Sequence, residues 1–188
     1  MKIFNGILHT MEGQVFENGW VEFINGKITG FGHMSDCPSN TPDDFDAVGG
    51  YIIPGIIDCH SHIGLQEEVY ATEGNDCSEI SDPVTPHVRA VDAIFPHDIA
   101  FQKSINAGVT AAVVGPGSTN VIGGQMAAIK LYGDNIDDMV IKAPVAMKLA
   151  LGENPKNYFG IKHNRAPFAR MGTAAILREA LLTAKDYC

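Results

Sequence analysis

Residues 54–62 read Pro54-Gly55-Ile56-Ile57-Asp58-Cys59-His60-Ser61-His62, and the reading of this stretch decides the fold. The run from Tyr51 to Ile57 is apolar and β-branched, as in a strand buried on both faces of a parallel sheet. Side chains alternate along a strand, so Asp58, His60 and His62 point to one face. Two imidazoles at this spacing can converge on one ion, and neutral imidazole is a common ligand of Zn²⁺ and similar metals. A metal-bound imidazole needs an acceptor for its other ring nitrogen, a supporting role for which Asp58 is the candidate. His-x-His also arises by chance at solvated or structural positions. This pair stands at the carboxyl end of an apolar strand, where α/β folds hold the reaction site.

Outward from this strand the texture repeats. Val109–Val114 (VTAAVV) and Ala143–Leu151 (APVAMKLAL) are further apolar runs. Between the first two, residues 96–107 read as a helix, with Pro96 near its start and Gly108 just past its end. Residues 167–186 carry a longer helical pattern, with Ala174, Leu177, Leu181 and Ala184 at three- and four-residue spacing. Buried strands alternating with helices indicate an α/β fold with a parallel sheet. Residues 1–50 differ. Lys2-Ile3-Phe4 and Ile7-Leu8 flank Asn5-Gly6, and an alternating run at 20–24 meets Asn25-Gly26 and then Lys27-Ile28-Thr29. These are hairpin signals of a small β domain that needs a second layer to bury its apolar face. Residues 34–46, polar with two prolines, form a loop or boundary.

The 188 residues suffice for one sizeable core or two small domains. The net charge of −9 disfavours nucleic acid, whose phosphates need a basic face. No run of some 18 apolar residues spans a membrane, and no secretory signal precedes the first strand. The four cysteines form no CxxC pair and read as free thiols of a reducing compartment, so a cytoplasmic location is expected. His9, His33, His97 and His163 show no partner spacing and read as structural.

PGIIDCHSH resembles the signature of the amidohydrolase superfamily, in which Pro-Gly-x-Ile-Asp-x-His-x-His ends the first strand of a metal-bearing (β/α)8 barrel. The amino-terminal hairpins resemble the small β-sandwich domain of those enzymes. Residues 115–133 (GPGSTNVIGGQMAAIKLYG) and 143–156 (APVAMKLALGENPK) are similar to the imidazolonepropionase-like branch. The resemblance implies an α/β fold: residues 1–50 as part of a β-sandwich, and residues 51–188 as the first half of a TIM-type barrel. It implies one or two divalent ions, zinc being expected and Mn or Fe serving the same chemistry, held by His60 and His62. The superfamily bridges its metals with a carboxylated Lys or, in some branches, a Glu. Glu153, after the third apolar run, is the candidate for that ligand, and Lys148, of opposite parity within the run, is its rival. A loop carboxylate paired with Lys156 is the alternative role for Glu153.

Four further residues are candidates for substrate contact. Asn120 and Gln125 lie among Gly115, Gly117, Gly123 and Gly124, in what reads as a loop above the barrel. There the glycines would let backbone approach a substrate, or simply make tight turns. His87 and Arg89 could clamp a substrate carboxylate, or stand in a solvated loop. The implied reaction is hydrolysis of a carbon–nitrogen bond other than an ordinary peptide bond, in a cyclic amide, N-acyl or amidine substrate. A bound ion would lower the pKa of its water to about 7. The remaining histidine ligands and a proton-shuttling Asp belong to later strands of the family's barrel. A barrel takes about 250 residues, so residues 51–188 accommodate roughly half, and the chain is expected to be a fragment inactive alone. A non-catalytic scaffold, or a half-enzyme completed by a carboxyl-terminal partner chain, is the alternative. The candidate partners are a small-molecule substrate, a second copy of the chain, or that complementary half.

Overall fold

A computed structural model describes residues 1–70 and 72–187. It is mixed α/β with two sheets, in two compact units, Met1–Gly55 and the residues from Ile56 onward.

The first unit is a five-stranded sheet in the order β3-β2-β1-β4, with β5 also paired to β1. Strand β1 is Lys2–His9, β2 Val15–Ile24, β3 Lys27–His33, β4 Phe45–Asp46 and β5 Tyr51–Ile52. The Asn25-Gly26 hairpin forms between β2 and β3, which pair antiparallel. Both turn residues have positive φ, 52° and 73°, as the twist-matched two-residue turn requires. Asn5-Gly6 makes no turn. Asn5 has φ 58° inside a continuous β1 whose register with β2 shifts there, so the pair marks a bulge. Leu8, Val21 and Ile52 form the small core. Lys2 is buried: its ammonium donates to the carbonyls of Pro38 and Ser39 and lies 3.5 Å from Asp44, tying down the segment 34–46.

The second unit contains β6 (Ile56–Ser61), α1 (Ile99–Asn106), β7 (Val109–Val114), β8 (Ile122–Lys130), α2 (Ile136–Met139), β9 (Val140–Leu149), α3 (Glu153–Pro155) and α4 (Arg170–Tyr187). A π-helical turn, Lys156–Lys162, follows α3. Helix α1 starts where Asp98 caps it, its carboxylate accepting from the Ala100 N–H at 3.0 Å, and ends before Gly108, whose φ is 89°. Its Phe101 packs with Leu65, Ile94, Val114 and Ile129 in the main core. Strands β6 and β7 pair in parallel, Ile56 opposite Val109.

Two expectations are corrected here. The loop expected at residues 115–125 ends at Val121; from Ile122 to Lys130 the chain is strand β8, antiparallel to both β7 and β9, in a sheet ordered β6-β7-β8-β9. The segment 84–89 bridges in parallel to Ile122 and Gln125, along the first half of the β8 edge whose second half pairs with β7. The apolar strand at 56–61 is also not buried on both faces. It is an edge strand paired only with β7 among the described residues, and Ile57 is 68% exposed. β9, at the opposite edge, is likewise largely exposed, and so is the apolar stripe of α4, of which Thr173 alone is buried. Among the described residues no helix is long and apolar enough to cross a membrane.

Candidate functional site

The two histidines at the end of β6 come together. Their ring centres are 5.3 Å apart and their planes cross at 76°. Two imidazoles bound to one tetrahedral ion at about 2.0–2.1 Å per nitrogen have ring centres roughly 5 Å apart, so the spacing fits a shared ion. His62 Nδ1 lies 2.7 Å from the Gly115 carbonyl oxygen. A carbonyl only accepts, so Nδ1 carries the proton, which in the neutral ring leaves the Nε2 lone pair for a metal. Gly115 is itself held by its N–H donating to the Ser61 carbonyl, and a Cβ there would fall 2.4 Å from Met126 Cγ. His60 Nε2 faces the Lys148 ammonium at 2.9 Å and accepts from it. Burial lowers the pKa of that ammonium. A positive charge thus sits on the lone pair that a metal would use.

Asp58 does not meet an imidazole. Its Oδ1 accepts from the His60 backbone N–H at 3.1 Å, because the β6 register shifts between Asp58 and Ser61 and breaks the simple alternation. It braces the strand at the histidine instead. Glu153 and Lys148 need not obey a common parity, since β9 ends at Leu149 and Glu153 opens α3. Both line one concavity of about 240 Å³ together with Ser118 and Asn154. The Glu153 carboxylate is spent on Lys156, at 3.0 and 3.1 Å, and its side chain is 69% exposed. Among the described residues no three His, Cys, Asp or Glu side chains are gathered to hold an ion.

Three of the four substrate candidates are engaged with the protein itself. Asn120 is fully buried. Its Nδ2 donates to the carbonyls of Glu79 and Asp82 and to the Thr85 hydroxyl, and its Oδ1 has no partner among the described residues. Gln125 donates to the Pro86 carbonyl at 3.2 Å, and its backbone N–H donates to that of Val88. Arg89 grips Asp92 with two hydrogen bonds, 2.9 and 2.5 Å, which raise the guanidinium pKa and lower that of the carboxyl. The carboxylate that Arg89 clamps is therefore the protein's own. His87 shares with Arg89 a cavity of about 430 Å³ that also takes in Asp76 and Glu79. The glycines serve close packing: a Cβ on Gly124, at φ 131°, would fall 2.7 Å from the Val88 carbonyl oxygen. The contacts that sequence reasoning missed are the Gly115 carbonyl and the Lys148–His60 pair. A backbone carbonyl leaves no sequence signal, whereas Lys148, inside the apolar run, was visible as a rival ligand.

No family model matches the chain. It is 35% identical over 156 residues to amidohydrolase tasK of Hapsidospora irregularis, covering 76% of this chain and 16% of that protein. It is 39% identical over 57 residues to the imidazolonepropionase of Photobacterium profundum, covering 27% of this chain and 14% of that one. A crystal structure of an amidohydrolase from Thermotoga maritima superposes with a TM-score of 0.89 at 36% identity, over 99% of this chain and 48% of its own. The chain thus spans about half the length of that solved relative and a much smaller share of the curated ones. With a paired His-x-His at the end of a strand that runs parallel to its neighbour, and with these relatives, the chain belongs to the amidohydrolase superfamily, to the amino-terminal part of its imidazolonepropionase-like branch.

Proposed function

We propose that the protein is a metal-dependent hydrolase of carbon–nitrogen bonds outside ordinary peptides, with cyclic amides, N-acyl amino acids and amidines as its substrate class. The observation that carries this reading is the His60–His62 pair, whose ring spacing and His62 tautomer suit one shared ion. We read the second unit as the opening of a (β/α)8 barrel: β6 and β7 run in parallel, and β9 shares their direction through two antiparallel pairings. Strand β8 is an antiparallel insertion in that plan.

His60 and His62 would hold the ion through Nε2, one ring oriented by the Gly115 carbonyl and the other's backbone braced by Asp58. When bound, a divalent ion, zinc first and Mn or Fe as alternatives, supplies a nucleophile at neutral pH and polarises the scissile group. Glu153 is the anionic ligand. Lys148 as an ammonium has no lone pair for a metal and would have to be carboxylated to serve, whereas Glu153 lines the same concavity and needs only to leave Lys156. An exposed ion pair of that kind is worth about 0.2–1 kcal/mol, a small obstacle. In a complete barrel the other histidines and the proton-shuttling Asp come from strands outside these 188 residues. A half-enzyme completed by a second chain is the other reading, favoured by the exposed apolar edges of β6 and β9.

The test is turnover. The intact protein loaded with zinc should hydrolyse at least one member of a panel of lactams, hydantoins and N-acyl amino acids. His60→Ala and His62→Ala should each remove that activity and the bound metal together. Equal metal content and turnover in wild type and both variants would overturn the reading.

A further inference from the structure

We infer that Asn120 is a positioning residue for the His62 imidazole, acting through the connector 115–121 between β7 and β8; this rests on the metal-centre reading above. The connector lacks strand pairing along most of its length, yet Gly115, Pro116, Gly117, Asn120 and Val121 are buried. Its first residue supplies the carbonyl that fixes the His62 proton on Nδ1. Its conformation therefore decides whether that carbonyl meets the ring.

Four attachments hold the connector. Gly115 N–H donates to the Ser61 carbonyl, Gly117 N–H donates to the Cys77 carbonyl at 2.6 Å, the Val121 carbonyl accepts from the Ala150 N–H at 3.1 Å, and the Asn120 side chain ties it to the segment 79–85. Asn120 Nδ2 reaches the carbonyls of Glu79 and Asp82 and the Thr85 hydroxyl. Thr85, also buried, lies within donating range of the carbonyls of Ile122 and Gly123 at 3.1 and 3.3 Å. All of Nδ2's partners on the segment 79–85 are acceptors, so only an amide nitrogen suits the spot. An amide turned the other way would aim an oxygen at two carbonyls. The Oδ1 atom is left buried without a partner among the described residues. That orphan is a cost carried by a side chain whose other atom ties the loop following the metal-bearing strand to the connector. Removing Nδ2 takes away the connector's side-chain link to the segment 79–85 and leaves only its backbone ties to Ser61, Cys77 and Ala150. Gly115 can then rotate its carbonyl away from Nδ1, and the proton redistributes between the two ring nitrogens.

The experiment reads the His62 ring directly. ¹⁵N spectra of the intact, metal-free protein labelled at histidine distinguish an Nδ1-protonated ring from a mixed one, and zinc affinity is measured on the same samples. Wild type should show His62 protonated at Nδ1. Asn120→Ala should give a mixture and a 10–100-fold weaker zinc affinity, the range for loss of a supporting partner. Ile129→Val, a buried core change away from the connector, serves as the stability control and should move neither readout. Thr85→Val, which removes one of Nδ2's partners with little change of shape, should shift the tautomer in the same direction by less, and it carries the test if Asn120→Ala does not fold. An unchanged His62 spectrum in the folded Asn120 variant, or in Thr85→Val where that one carries the test, overturns the inference; so does an equal shift in Ile129→Val. Absence of zinc binding in wild type would overturn the metal-centre reading alone, and the tautomer would still judge the role of Asn120.

Discussion

At the scale of single residues, the site turns on which group meets which imidazole nitrogen. His62 is served by a backbone carbonyl, and His60 by a lysine eighty-eight residues away in sequence. The histidines themselves were legible, because a strand's alternation and a Pro-Gly entry are written in the residues. Their contacts were not: a carbonyl belongs to every residue, and Lys148, though it stood out inside an apolar run as a rival ligand, gave no sign that it would meet His60. Arg89 shows the converse: its type suggested a carboxylate clamp, and the carboxylate proved to be that of Asp92, three residues on. The choice between Glu153 and Lys148 can be made by metal titration of two variants. Glu153→Gln should weaken zinc binding by at least tenfold, while Lys148→Met should strengthen it, because a cation beside His60 Nε2 repels an ion. If Lys148→Met weakened binding and Glu153→Gln left it unchanged, the anionic ligand would be a carboxylated Lys148.

At the scale of elements, α1, β7 and the β2–β3 hairpin follow from local signals: an Asp cap with Gly108 beyond the end, a run of β-branched residues, and Asn25-Gly26. Strand β8 escaped because Gly123 and Gly124 punctuate it like a loop. Those glycines exist for close approach, Gly124 against Val88, which no local pattern announces. Of the segment 34–46, residues 37–44 are the loop that was legible, while Phe45–Asp46 join the sheet as β4 and Lys2 is buried against the loop, neither of which the sequence announced. This attachment makes the first unit sensitive to acid. The Asp44 carboxyl is held below its usual pKa, chiefly by the Thr41 backbone N–H and also by that of Lys2 and the Lys2 charge. A lowered folded-state pKa stabilises above the unfolded value of about 3.9, and the stabilisation is lost as pH falls through the folded value. Hydrogen exchange should therefore show protection around residues 34–46 falling as pH is taken from 6 to below about 4, after correction for intrinsic rates. Asn at position 44 (Asp44→Asn) should give lower protection with no such step. A wild-type profile without a step would remove Asp44 from this role.

At the scale of the whole molecule, sequence composition told which strands are apolar but not how far they are covered. Burial depends on neighbours, and β6, β9 and α4 have open apolar faces among the described residues, with Ile57, Leu149 and Leu181 each more than two-fifths exposed. Large exposed apolar surface marks a contact yet to be made. That fits a family fold in which this chain matches 48% of a solved relative. The central claim, that His60 and His62 share a catalytic ion, is tested most directly by anomalous scattering at the zinc edge from crystals of the intact protein grown with zinc. The account predicts a peak about 2.0–2.1 Å from Nε2 of both His60 and His62, with Nδ1 of His62 still donating to the Gly115 carbonyl. A zinc peak remote from both rings, or none at concentrations that saturate hydrolysis, would contradict it.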